Sequence, residues 1–342
     1  LNGVIENKQE IPMNQRKQTL KESSGSSVVR PAGKGPVALA CADAIRISTL
    51  APEYSYLTFA GILPVSLPDG TRVAVLPDMH VPAHHRLVWW IVLQALRDFK
   101  PDVVVFIGDV ADCFGMSAHL FDPTVGRNLK EELDETRRVI DEVRSITGCQ
   151  WVFVIMGNHE DRFWRGVASQ MPQFANIVDP HSEERVWSVP ALLGYGPDDN
   201  VTFIFDRAER GGAAGGILFN DDIRFEHGRL IMQHPGFSPQ ALADRIAQSI
   251  VHGHTHRQGM SVIETPEDEF VSIELGHLAD EERPELDYAA DKTNWSHGLA
   301  FATVVDGVLH PELVAIRQVE MEKGKRRYVF TYGGHDYVSP DR

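Results

Sequence analysis

"DVVVFIGDVAD", residues 102–112, joins five consecutive apolar residues to a glycine and two aspartates. A short β-branched run bounded by polar turn residues reads as a strand buried on both faces. Similar runs lie on either side of it, "RVAVLPD" (72–78) and "WVFVIMGNHE" (151–160). The segments between them have a different period. "HHRLVWWIVLQALRDF" (84–99) is apolar at 87, 88, 91, 92, 95, 96 and 99, and "LKEELDETRRVIDEVRSI" (129–146) puts Leu133, Ile140, Val143 and Ile146 on one helical stripe. Strand, helix, strand, helix, strand predicts a largely parallel sheet covered by helices. Further strands are predicted in "VTFIF" (201–205), "RLIMQH" (229–234), "SIVHG" (249–253), "FVSIEL" (270–275) and "FATVV" (301–305). The expected fold class is therefore α/β. The tandem Trp89–Trp90 is assigned to helix packing.

The 342 residues, 43% of them hydrophobic and 24% charged, have the make-up of a soluble globular protein. A net charge of −15 argues against a nucleic-acid-coating role. It leaves nucleases open, because bound cations supply positive charge locally. Cys41, Cys113 and Cys149 form neither a CxxC pair nor a disulfide framework, so a reducing, cytoplasmic setting is expected. No apolar run is long enough to span a membrane, and "VALACADAI" (37–45) is too short and too polar at Asp43 for a signal peptide.

Residues 1–35 carry six basic and three acidic residues and a low-complexity "SSGSS", which predicts a flexible polar tail. Residues 36–70 read as an N-terminal extension of uncertain structure, 71–310 as the main domain, and 311–342 as a C-terminal extension packed on it or trailing from it. Loops 112–130, 161–200 and 206–222 are expected to set substrate choice. "GGAAGG" (211–216) lacks the Gly-Lys-Ser/Thr ending of a phosphate-binding P-loop and is expected to be a mobile loop.

The predicted strands all end in polar residues. Asp78 and His80 follow the first, Asp109 and Asp112 the second, and Asn158, His159 and Glu160 the third. His234 closes "RLIMQH", and His252, His254 and His256 cluster after "SIV". In open α/β sheets, ligands bind beyond the carboxyl ends of the strands. Neutral imidazole is the commonest metal ligand among side chains. Taken singly, each group could be a turn, a helix cap or a buried histidine. Together, and each after a strand, they point to a metal centre.

In this arrangement the chain resembles the calcineurin-like metallophosphoesterase superfamily, whose motifs run D-x-H, G-D-x-x-D, G-N-H-(D/E), H and G-H-x-H. They appear here as Asp78-Met79-His80, Gly108-Asp109-Val110-Ala111-Asp112, Gly157-Asn158-His159-Glu160, a lone histidine, and Gly253-His254-Thr255-His256. The resemblance covers roughly residues 70–305. Two histidines compete for the fourth motif, His227 (followed by Gly228) and His234 (followed by Pro235). His234 is preferred, because it closes an apolar run twenty residues before His254.

The resemblance implies an α+β sandwich of mixed β-sheets flanked by helices, with two divalent metal ions (Mn, Fe or Zn) at the C-terminal ends of the strands. Asp78, His80, Asp109 and His256 would hold one ion. Asp109, Asn158, His234 and His254 would hold the other, with Asp109 bridging. It further implies hydrolysis of a phosphate-ester substrate by a hydroxide bridging the metals. His159 would be the general acid, positioned by Asp112 or Glu160. His252 is expected to be a buried neighbour, not a ligand. A phosphomonoester, a phosphodiester or a nucleic acid would each be an admissible substrate. The competing reading is a non-catalytic binding or scaffold protein with the same fold.

Overall fold

The computed structural model describes residues 45–47, 58–116, 128–180, 185–196, 199–205, 215–266, 268–287 and 294–341. The predicted polar tail, most of the 36–70 extension, most of loop 112–130 and most of the glycine-rich stretch lie outside them.

The first sheet is built around three strands, β4 (Arg72–Leu76), β5 (Val103–Phe106) and β6 (Trp151–Ile155), running parallel. β7 (Val201–Phe205) and the short β2 (Thr58–Ala60) extend it in parallel on one side. On the other side, β13 (Gly298–Val305) and β14 (Val308–Ala315) continue it antiparallel. The second sheet contains β1 (Arg46–Ile47), β3 (Ile62–Ser66), β8 (Gly216–Phe219), β9 (Ile223–Glu226), β10 (Ser249–His252), β11 (Gln258–Glu264) and β12 (Glu269–Leu275). Its order is β1-β3-β8-β9-β10-β12-β11, with β9, β10 and β12 parallel. A small antiparallel sheet follows, formed by β15 (Arg317–Glu320), β16 (Arg326–Tyr332) and β17 (His335–Val338).

Alternation along the central strands separates two cores. Val73, Val75, Val103, Val105, Phe153 and Ile155 face the second sheet, where they meet Phe219, Phe225 and Val251. Ala74, Leu76, Val104, Phe106, Val152 and Val154 face the helices. Each fully buried aliphatic or Phe side chain stabilises the fold by about 1.5–3 kcal/mol. This two-sided burial explains why the central strands are continuously apolar.

The helices are α1 (Arg86–Phe99), α2 (Leu129–Thr147), α3 (Asn158–Gln170), α4 (Val189–Leu193) and α5 (Phe237–Ile246). α1 and α2 fall within two residues of their predicted bounds. The His85 ring accepts the Val88 N–H to start α1, and Asn128 accepts the Lys130 N–H to start α2. Of the two tryptophans, Trp89 is buried and donates to Glu142, whereas Trp90 is exposed. No helix among the described residues is long and apolar enough to cross a membrane.

Two expectations need correcting. The segment 229–234 is not a strand. Leu230, Ile231 and Met232 are exposed, and the strand lies earlier, ending at Glu226. The segment 161–200 is not simply a loop, since it carries most of α3 and all of α4. Residues 58–66 supply β2 and β3, and the last residues pack on α1, where Tyr337 donates to Asp98.

Candidate metal centre

The carboxyl ends of β4, β5 and β6 and those of β9 and β10 meet at one edge of the sandwich. The loops leaving β4 and β5 are locked together by the backbone: His80 N–H donates to Asp109 C=O (2.8 Å) and Val81 N–H to Val110 C=O (2.7 Å). The two sheets are joined directly, because both Asp78 carboxylate oxygens accept the His254 N–H at 3.0 Å. Five of the gathered residues have left-handed backbone: Asp78, His80, Asp109, His254 and His256, with φ between 34° and 71°. Asp and His tolerate that region better than most side chains.

Two donor groups are built from the motif residues other than His159, and His80, Asp109 and His159 form a further, overlapping one. Ligand atoms of Asp78, His80 and His256 lie within 4.8 Å of one another, and so do those of Asp109, His227 and His254. Asp109 stands between them. Its Oδ1 accepts the His159 N–H at 2.9 Å, so it is anchored. Its Oδ2 faces His227 Nε2 at 3.3 Å and His80 Nε2 at 3.9 Å. The Asn158 Oδ1 completes the second group, 3.1 Å from His227 Nε2. Gly157 is required here, because a Cβ on it would fall 2.1 Å from Asp109 Oδ1.

The chemistry of this donor set fits cations. Asp78 and Asp109 are carboxylates with essentially no solvent access, and buried charge is costly unless compensated. His80 Nε2 and His256 Nε2 point at each other at 3.0 Å, both buried. Two neutral imidazole nitrogens that close must share a proton or a cation. Burial opposes charge on His227, but Asp109, Asp78 and Glu160 outweigh it and push its pKa up to about 10. The cluster thus demands positive charge, and a bound divalent ion would supply it in place of that proton. Burial and the neighbouring His227 lower His254 to about 4, so its ring is neutral and able to ligate. These buried His/Asp groups are typical of a dinuclear metal site.

His227 takes the place expected for His234. His234 is exposed, its ring edge-on to Phe237 with centroids 5.3 Å apart, and it belongs to neither donor group. The physical reason is the position of the strand end: β9 stops one residue before His227 and aims it at Asp109. His252 is buried, and burial together with His227 lowers its pKa to about 3. Its ring fills the space where a Cβ on Gly228 would sit, 1.8 Å from its Nε2. Gly228 therefore cannot carry a side chain, and the His-Gly pair was the signal in the sequence for the histidine that reaches Asp109.

His159 heads α3. Its Nδ1 lies 2.5 Å from Asp112 Oδ1, and its Nε2 lies 2.8 Å from the Arg162 guanidinium. Arginine only donates, so the neutral ring carries its proton on Nδ1, toward Asp112. Burial lowers its pKa. Glu160 turns away from His159. Its carboxylate accepts the N–H groups of Gly157 (2.8 Å), Ala111 (2.8 Å) and Asp109 (3.2 Å), clamping the β5 loop to the start of α3. Of the two candidates for positioning His159, Asp112 is the one in contact.

A cavity of about 570 Å³ opens onto Asp109, Asn158, His159, His254 and His256. Arg162, Arg257 and Trp295 also line it, and none of the three was singled out by sequence. Arg162 lies one turn beyond Asn158 in the same helix, a spacing that could have flagged it. A second cavity of about 580 Å³, bounded by residues of α1 and α2 such as Trp90 and Arg138, holds none of the donors.

The model of the calcineurin-like phosphoesterase family matches residues 71–258, more than half of the chain and every donor just described. The chain belongs to that family. The chain is also similar to Gene 54 protein of Mycobacterium phage L5, at 26% identity over 260 residues, covering 72% of this chain and 93% of the phage protein. Solved structures with remote likeness include Vps29 of Chaetomium thermophilum, with a TM-score of 0.35 and 12% identity over 79% of this chain and 98% of that one. Vacuolar Protein Sorting 29 from Cryptosporidium parvum has a TM-score of 0.33 and 14% identity over 80% and 98%.

Proposed function

We propose that the protein is a metal-dependent phosphoesterase that hydrolyses phosphate esters at a dinuclear centre held by Asp78, His80, Asp109, Asn158, His227, His254 and His256. One observation carries this reading: Asp109 has one oxygen anchored to a backbone N–H and the other facing both imidazole groups. Two bound divalent cations would supply charge neutralisation of the phosphate and an activated water nucleophile. The nitrogen and oxygen donors, with no thiolate among them, suit Mn, Fe or Zn.

The chain's own groups do the rest. His159, tethered through Nδ1 to Asp112, presents Nε2, which accepts from Arg162, as the nitrogen that would take up a proton and pass it to a leaving oxygen once Arg162 turns to the phosphate. Arg162 beside it makes that proton harder to keep, which favours its transfer, and adds positive charge for a phosphate. Glu160 holds the β5 loop and the α3 start in register, so Asp109 and Asn158 stay in place. A scaffold role would need none of this proton-handling apparatus.

The test is a metal-reconstituted activity panel on a phosphomonoester, a bis-ester, cyclic nucleotides, and single- and double-stranded DNA and RNA. Activity on at least one ester class is expected, with loss on chelation and recovery with Mn. Undiminished activity after complete metal removal, or no hydrolysis of any ester with both ions bound, would overturn the reading.

A further inference from the structure

Residues 276–297 connect β12 of the second sheet to β13 of the first, beyond the stretch matched by the family model. The two ends of this connection are held side by side: His277 N–H donates to Ser296 C=O (3.1 Å), and Gly298 N–H donates to His277 C=O (3.2 Å). Their side chains meet too. The rings of His277 and His297 have centroids 4.5 Å apart, and His277 Nε2 lies 3.2 Å from Glu281 Oε1. One ligating atom from each of His277, Glu281 and His297 lies within 4.8 Å of the others.

Other features of this triad suit a cation better than packing alone. His277 is fully buried and His297 is 9% exposed, yet Nδ1 of each ring has no hydrogen-bond partner among the described residues. An orphaned buried polar nitrogen is costly, a cation bound at it would satisfy it, and imidazole ligates through either nitrogen. Glu281 brings a carboxylate, and its partial exposure gives an entry path from solvent. Trp295 and Tyr328 close the surroundings, with ring centroids 5.4 Å from His277 and His297 respectively. Such an apolar shell limits solvent access to a bound metal.

We infer that His277, Glu281 and His297 form a third, mononuclear site for a zinc-class divalent ion, separate from the dinuclear centre. Two imidazoles and a carboxylate are a known zinc ligand set, leaving a fourth position for water. Tetrahedral metal–donor bonds of about 2.0–2.2 Å put donors about 3.3–3.6 Å apart, so the observed group would have to draw in by about 1.5 Å at most. The ion would pin both ends of the 276–297 connection. It would also steady His256, whose ring stacks on His277 at 5.1 Å. The site does not depend on the phosphoesterase reading.

The experiment strips the 342-residue protein with a chelator, reloads it with zinc, removes excess and counts metal by elemental analysis. Wild type is compared with His297→Asn, Glu281→Ala, Asp109→Asn and the double variant Asp109→Asn/Glu281→Ala, with circular dichroism to verify folding. Glu281 reaches the surface, so its variant reports even if His297→Asn fails to fold. His297→Asn and Glu281→Ala should each lose one zinc equivalent relative to wild type. Asp109→Asn should retain one equivalent that the double variant loses. With cobalt in place of zinc, Asp109→Asn should show visible absorption that disappears in the double variant. Equal metal content in wild type and Glu281→Ala, or in Asp109→Asn and the double variant, would overturn the inference. Absence of ester hydrolysis would leave it standing, because metal content alone decides it.

Discussion

The first sheet delivers Asp78, His80, Asp109 and Asn158 to the centre from β4, β5 and β6, whereas the second delivers only imidazoles, His227, His254 and His256, from β9 and β10. All the carboxylate charge therefore comes from one sheet, and the other supplies neutral donors. Asp109 faces both donor groups, but each second-sheet histidine belongs to one. Removing charge from the first sheet should damage the whole centre, while removing an imidazole from the second should damage half of it.

Asp109→Asn is the sharpest challenge to that division. It should weaken both ions and lower turnover by more than about 10³-fold, given that groups merely behind a ligand are worth about 10–100-fold in metal affinity. Elemental analysis showing only one ion lost would break the comparison. His227→Ala should come next, with one ion weakened by about 10²-fold and the other retained. Metal titration followed by calorimetry would separate the two binding events, and simultaneous loss of both would mean that the sheets are not chemically distinct.

His159→Asn tests whether a first-sheet residue can matter without touching metal affinity. The rate on alkyl or nucleoside esters should fall by about 10²-fold, with a smaller fall on aryl esters, whose leaving groups need little protonation. Metal content should match wild type, and equal losses on both ester types would remove His159 from the proton-donor role. The smallest effect is expected for His234→Ala, an exposed position outside both groups. Metal content should be unchanged, and stability should shift by no more than about 0.5 kcal/mol. A lost metal equivalent there would reverse the placement of the second-sheet histidines.

The same contrast explains what was legible in the sequence. β4, α1, β5, α2 and β6 could be read because their strands are buried on both faces and their helices show unbroken 3.6-residue stripes. The second sheet is made of short pieces with weak patterns: "ILPVS" contains a proline, "GILF" a glycine, and "IRFE" two charges. The exposed "RLIMQ" imitated a better strand than the real one, and that imitation moved the fourth histidine from 227 to 234. First-sheet donors were found because local motifs carry them. Arg162 and the His277–Glu281–His297 group were not, since the latter joins histidines twenty positions apart in the sequence.

The left-handed backbone at Asp78, His80, Asp109, His254 and His256 has a consequence for anyone engineering this protein. Non-glycine residues held there cost about 1–3 kcal/mol each and persist only because the surroundings enforce them. A library selected purely for heat resistance would therefore be rewarded for replacing these very positions, with glycine above all, since glycine adopts that conformation freely. Thermostability would climb while the donors vanished one by one. A selection that demands retained metal would be the safeguard, and the positions it refuses to surrender would map the centre without any assay of catalysis.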